Sequence, residues 1–214
     1  MSFDLDKSSN KLLILLLSAD FIFIVVHILY MNEFMSNSLY SIDRDLGYAE
    51  VYQYIKEFWI VLLLLFAAVK RKHAIYLAWA ALFLYFLLDD SFRVHERFGG
   101  SLAYNFNLQP MLNLRAQDIG ELIASLFFGV LLLVFVWATY IFSDDVSKKI
   151  SRQLFILVMF VVFFGVLVDM FHIALPWGKS LLGLIEDGGE MLVMSIIVWF
   201  VFKLDHTLYE AIDS

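Results

Sequence analysis

QLFILVMFVVFFGVLVDMFHIAL, residues 153–175, is a 23-residue run interrupted, past Gln153, only by Asp169 and His172 near its end. A hydrocarbon core about 30 Å thick takes roughly 20 apolar residues at a rise of about 1.5 Å each. Within it every backbone polar group must be satisfied inside the segment, so the run predicts a helix. Windows of the same kind lie at 12–31, 50–69, 74–94, 119–142 and 182–203. The expectation is an all-α polytopic membrane protein: one domain over residues 1–214, built as a bundle of six transmembrane helices.

Composition agrees, with 62% hydrophobic and 17% aromatic residues and a mean hydropathy of +0.80, values that belong to the membrane class. The bilayer is the expected solvent. A net charge of −7 excludes a nucleic-acid partner, because phosphate recognition needs clustered Lys and Arg. The chain has no cysteine, so disulfides, thiolate metal sites and cysteine nucleophiles are excluded as well. Any metal must be held by His, carboxylate, amide or water. The first window follows Lys7 and Lys11 but is about 20 residues long and lacks a small-x-small cleavage site, so it reads as a retained span.

Two short joints are basic: Lys70, Arg71 and Lys72 with His73, and Lys148 and Lys149 with Arg152. The positive-inside rule puts both in the cytoplasm. With the N-terminus inside, nine Lys and Arg fall on cytoplasmic segments (the six in the joints, Lys7, Lys11 and Lys203). Five fall outside: Arg44, Arg93, Arg97, Arg115 and Lys179. Both termini are then cytoplasmic, and the expected location is a bacterial inner membrane. The external connections are 32–49 and 95–117; the second, with Gly99, Gly100 and Pro110, either lies along the interface or folds back as a lid.

A charge inside a span costs roughly 2.5–3.5 kcal/mol on insertion scales, so each needs a partner, a water cavity or a function. At about 1.5 Å per residue, His27, Asp89 and Asp169 come to one level, about 22 Å from the cytoplasmic ends of their spans. Glu186 lies near 24 Å, Glu57 and Glu190 near 18 Å, and Asp20 near 12 Å. Asp118/Glu121 and Asp169/His172 are i,i+3 pairs, Glu186/Glu190 is an i,i+4 pair, and Asp89, Arg93 and Glu96 form a stripe, so each helix can turn its polar groups to one face.

Capping and the macrodipole account for acids at helix N-termini: Glu50, Asp118, Glu121, Glu186 and Asp187. The same field disfavours Asp89, Asp90 and Asp169 at the C-terminal ends of outward-running spans, and the site is expected to centre there. Arg93, Arg97 and Arg115 are the expected counterions, and the acids outnumber them. Protons or a bound metal must balance the rest. Asp89, Asp169, His172, Glu186 and Glu190 are the expected ligands of Zn, Fe or Mn, with His27, Asp90, His95, Asp118 and Asp187 as further candidates. Glu96 and Glu121 are the expected proton acceptors. His73 and His206 read as solvated residues.

Two strings, LLDDSFRVHERFGG at 87–100 and IEDGGEM at 185–191, resemble the D-[DE]-x4-H-E helix end and E-[DE]-x-x-E-M helix start of a group of bacterial multi-pass membrane proteins of unknown function. The resemblance implies one site made of Asp89, Asp90, His95 and Glu96 with Glu186, Asp187 and Glu190. Membrane zinc hydrolases of the alkaline ceramidase type are a more distant comparison, and the H-x-x-x-H pair they use is missing here. Di-iron carboxylate bundles use two E-x-x-H motifs; this chain has only Asp169-x-x-His172, with Asp118-x-x-Glu121 as a partial second.

The leading expectation is a divalent-metal site open to the outer face, hydrolysing a lipid or lipid-linked substrate. One alternative is a non-catalytic membrane sensor or scaffold that forms homo-oligomers. Another is a cation or proton path with an acidic vestibule, continued inward by Asp20 and Glu57.

Overall fold

A computed structural model describes residues 7–175 and 178–210; the side chains of Lys7, Lys179 and His206 lie outside the described residues. The helices are α1 (Lys7–Met31), α2 (Tyr48–Arg71), α3 (Ala74–Phe92), α4 (Val94–Asn105) and α5 (Ala116–Ile141). They continue as α6 (Asp145–Val162), a π-helical segment (Phe163–Val168), α7 (Asp169–Ala174) and α8 (Lys179–Glu210). Among the described residues there is no strand, only an isolated bridge between Met111 and Leu114. Five helical stretches are long and apolar enough to cross a membrane: Ser9–Met31, Tyr48–Arg71, Ala74–Phe92, Ala116–Ile141 and Asp145–Ala174. Within α8 only twelve uncharged residues, 191–202, separate Glu190 from Lys203.

Burial is inverted relative to a protein whose solvent is water. Large apolar side chains of α5, among them Leu126, Phe127, Val134 and Trp137, face outward, while Asp20, Lys56 and Glu57 are fully buried. That distribution fits lipid as the surrounding medium. The apolar core gathers Ile60 and Leu64 of α2, Tyr76, Trp79 and Phe83 of α3, Leu154 of α6 and Ile197 of α8.

The basic joints lie together at one end. Lys72, in the left-handed region at φ 55°, closes α2 by donating its N–H to Ala68 O, with Lys70 and Arg71 in the last turn where they complement the helix dipole. Asp144 caps α6 by accepting the Ser147 N–H at 3.1 Å. The Ser147 bond holds the Asp144 carboxyl below the usual range. His73, expected to be merely solvated, lies 3.5 Å from Asp144 and so ties the two joints to each other. Tyr76 and Trp79 continue the seam, bonding Ser147 at 3.1 Å and Ser151 at 2.9 Å.

The 95–117 connection is largely helix. Arg93, left-handed at φ 52°, ends α3, and α4 starts at the next residue. It folds back against the start of α5, where Gly99 and Gly120 bring the two backbones into contact.

A candidate metal centre among buried acids

The π-helical segment, bonded i→i+5, widens the path of α6 for one stretch, and Asp169 and His172 follow it on α7. Such segments re-aim the residues beyond them and recur at functional sites. Gly165 within the segment leaves the space that Glu190 of α8 uses, since a Cβ there would sit 1.7 Å from Glu190 Oε1. Across the same interface, Asp169, His172 and Glu186 each offer a ligand atom within 4.8 Å of the others, and His172 Nδ1 is 2.8 Å from Glu186 Oε2. All three are half-buried. One imidazole and two carboxylates suit Zn, Fe or Mn, and three protein ligands leave coordination positions for water or substrate. Asp169 also lies within electrostatic reach of His95, which in turn feels Glu121 and Glu96.

The remaining candidates are placed differently. Glu190, Asp90 and Asp187 line a cavity of about 140 Å³ with Glu50 and Gln53. Asp89 accepts the His95 backbone N–H at 2.7 Å. Because α4 begins at Val94, the C-terminal end of one helix is the N-terminal turn of the next, and Asp89 caps that turn. The expected dipole penalty on Asp89 is therefore reversed. The opposite correction applies to Glu186 and Asp187, the eighth and ninth residues of α8. The dipole fades beyond the first turn, so capping does not explain them.

Capping does explain Asp118, which accepts the Arg115 N–H at 2.7 Å and binds its guanidinium at 2.6 Å. This pairing holds the Arg115 pKa above its ordinary value. Glu50 accepts the Leu46 N–H at the start of α2. Glu121 accepts from Gln117 Nε2 at 2.7 Å. Arg93 contacts Asp45 and lies 3.8 Å from Glu96. His27 accepts the Ile42 N–H on Nδ1 at 3.1 Å, which pins the connection after α1 back onto that helix.

Asp20 pairs with Lys56. The ammonium lies 3.2 Å from Asp20 Oδ1 and also donates to Met191 O at 2.7 Å and Ser195 Oγ at 3.3 Å. Sequence reasoning singled out neither Lys56 nor Gln53. For Gln53 the signal was present in α2, where Glu50, Gln53 and Glu57 recur at helical spacing inside an apolar span.

Residues 12–205 match a domain of unknown function, DUF8692. The chain belongs to that family. No curated protein and no solved structure matches it. The DUF8692 region contains every residue of the candidate metal site, the acidic cavity and the Asp20–Lys56 pair.

Within the DUF8692 region, His95 is the ionisable group whose setting makes the clearest pH prediction. Burial opposes a charge on its ring, but the Asp89 carboxylate, with Glu121 and Glu96, outweighs burial and raises the pKa above the ordinary histidine value. Nδ1 lies 3.0 Å from Asp89 Oδ1, in contact as an ion pair without hydrogen-bond alignment. A raised folded pKa contributes stability that is complete below the unfolded value, about 6.5, and is lost as pH rises through the folded value. The wild-type protein should therefore lose on the order of 0.5–1 kcal/mol between pH 6 and 9 that a His95→Asn variant does not lose. Parallel thermal-unfolding curves for the two proteins across that range would contradict the assignment.

Proposed function

We propose that this protein is a six-span inner-membrane hydrolase with both termini cytoplasmic, acting on a lipid or lipid-linked substrate at a divalent metal held by Asp169, His172 and Glu186. The convergence of those three side chains from α7 and α8 carries the reading. A metal there would polarise substrate and acidify a bound water at neutral pH. Glu96 and Glu121, grouped around His95 in electrostatic reach of Asp169, are the proton acceptors.

An amphiphilic substrate suits the flanks of the centre. Phe163, Leu167, Phe171, Leu181 and Ile185 are exposed beside it, so a lipid-borne molecule reaches the metal without leaving apolar surroundings. The contact between the two basic joints, through His73 and Asp144, supports one cytoplasmic end and an outer site. The sixth span is α8, with Glu186, Asp187 and Glu190 facing the bundle rather than lipid. A larger apolar cleft of about 490 Å³, bounded by Trp137, Tyr140 and Phe155 with Arg152, opens near the basic joints and does not meet the acids.

Elemental analysis of protein purified in detergent tests the proposal. Near-stoichiometric Zn, Fe or Mn is expected in the wild type, and at least a tenfold loss in Asp169→Ala and His172→Ala. A folded wild-type protein free of metal would overturn the reading.

A further inference from the structure

We infer that the cavity enclosed by α2, α3 and α8 is a second, all-oxygen cation site, built for a hard divalent ion such as Ca²⁺. Four carboxylates line it, from Glu50, Asp90, Asp187 and Glu190, together with the side chain of Gln53. Gln53 is 8% exposed and its Oε1 has no hydrogen-bond partner. A buried amide beside a cavity of acids, its oxygen without a donor, is an acceptor left for something positive. One turn further along the same face of α2, Glu57 is fully buried with both carboxyl oxygens unpartnered.

No Lys or Arg lines the cavity among the described residues. The nearby cations are committed elsewhere: Lys56 to Asp20, and Arg93 to Asp45 and Glu96. The donor set decides the ion. Carboxylate and amide oxygens without imidazole or thiolate select Ca²⁺, Mg²⁺ or Mn²⁺ over Zn²⁺ and Cu²⁺. Ca²⁺ accepts six to eight oxygens in flexible geometry. A volume of about 140 Å³, against about 30 Å³ for a water molecule, leaves room for the ion and a few waters to complete its shell. Entry is open, because a second cavity of about 250 Å³ shares Glu50 and Asp90 and extends to Asp45, Arg93 and Arg97.

The site is distinct from the Asp169, His172 and Glu186 centre, and the experiment separates them. Full-length protein in detergent, treated with chelator, is titrated with CaCl₂ by isothermal calorimetry. One Ca²⁺ per chain is expected, bound at least tenfold more weakly by Asp187→Asn and by Gln53→Leu. His172→Ala should keep the Ca²⁺ affinity while losing the transition metal. Gln53→Leu removes an unpartnered atom, so it carries the test if Asp187→Asn does not fold. Absence of Ca²⁺ binding by folded wild type at millimolar concentration overturns the inference. So does wild-type affinity in both variants, or loss of Ca²⁺ with His172→Ala.

Discussion

Lys56→Met should destabilise the protein by about 3–5 kcal/mol, the cost of leaving one member of a buried ion pair without its partner. The ammonium is fully buried, and its three protons meet Asp20 Oδ1, Met191 O and Ser195 Oγ, with the Tyr52 ring 4.7 Å away. Methionine fills a similar volume, so the loss isolates the charge. Asp20 would then stand alone between α1, α2 and α8, with its Oδ2 already lacking a partner. Asp20→Leu should be costly for the same reason, because it strands the ammonium. The double variant Asp20→Leu/Lys56→Met should recover most of the loss, since two apolar residues of similar volume replace two compensating charges. Unfolding in mixed detergent, followed by helical circular dichroism, reads all four proteins. Additive single effects in the double variant would mean that the two charges do not support each other. The same pair bears on transport, because an ammonium at Asp20 repels any cation routed along that helix.

The helical architecture was legible because it rests on length and hydropathy, which the bilayer imposes on each segment separately. The depth count was informative where two groups share a level and face across one interface, and it brought Asp169 and Glu186 to similar depth. It failed where depth was taken for proximity. His27 shares the level of Asp169 yet is committed to the Ile42 N–H. The helix dipole acts differently on Asp89 and on Glu186 and Asp187 than hydropathy windows suggest, because of where α4 and α8 begin. An α4 starting directly after Arg93 turns Asp89 into a cap, and an α8 starting at Lys179 moves Glu186 and Asp187 beyond the first turn. Boundaries are set by local left-handed residues and by packing across the bundle, and neither leaves a hydropathy signal. Lys56 was passed over because a lone lysine in an apolar span carries no motif; its meaning arises only when α1 and α8 deliver Asp20, Met191 O and Ser195 to it.

Gly120→Ala should part α4 from α5 and lower stability by about 1–3 kcal/mol, the usual cost of overpacking a tight contact. A Cβ at Gly120 would lie 2.1 Å from Gly99 O and 2.8 Å from Gly99 C, and a Cβ at Gly99 would lie 2.4 Å from Glu121 N. The opposing atoms are backbone, so no side chain can swing aside, and the helices themselves have to move. Close approach through small residues is how helices associate where lipid removes the hydrophobic drive. The displacement would propagate chemically, because α4 carries His95 and Glu96 and α5 carries Glu121. Opening the crossing should therefore weaken the His95 contact with Asp89 and expose residues 106–114 to proteolysis. Gly100 supplies the control one residue away: a Cβ there meets nothing within 4 Å. Gly100→Ala should be neutral or stabilising by about 0.5–1 kcal/mol through helix propensity alone. If Gly100→Ala and Gly120→Ala melted and were cleaved alike, the crossing would not be what holds α4 down, and Glu96 would have no fixed position beside His95.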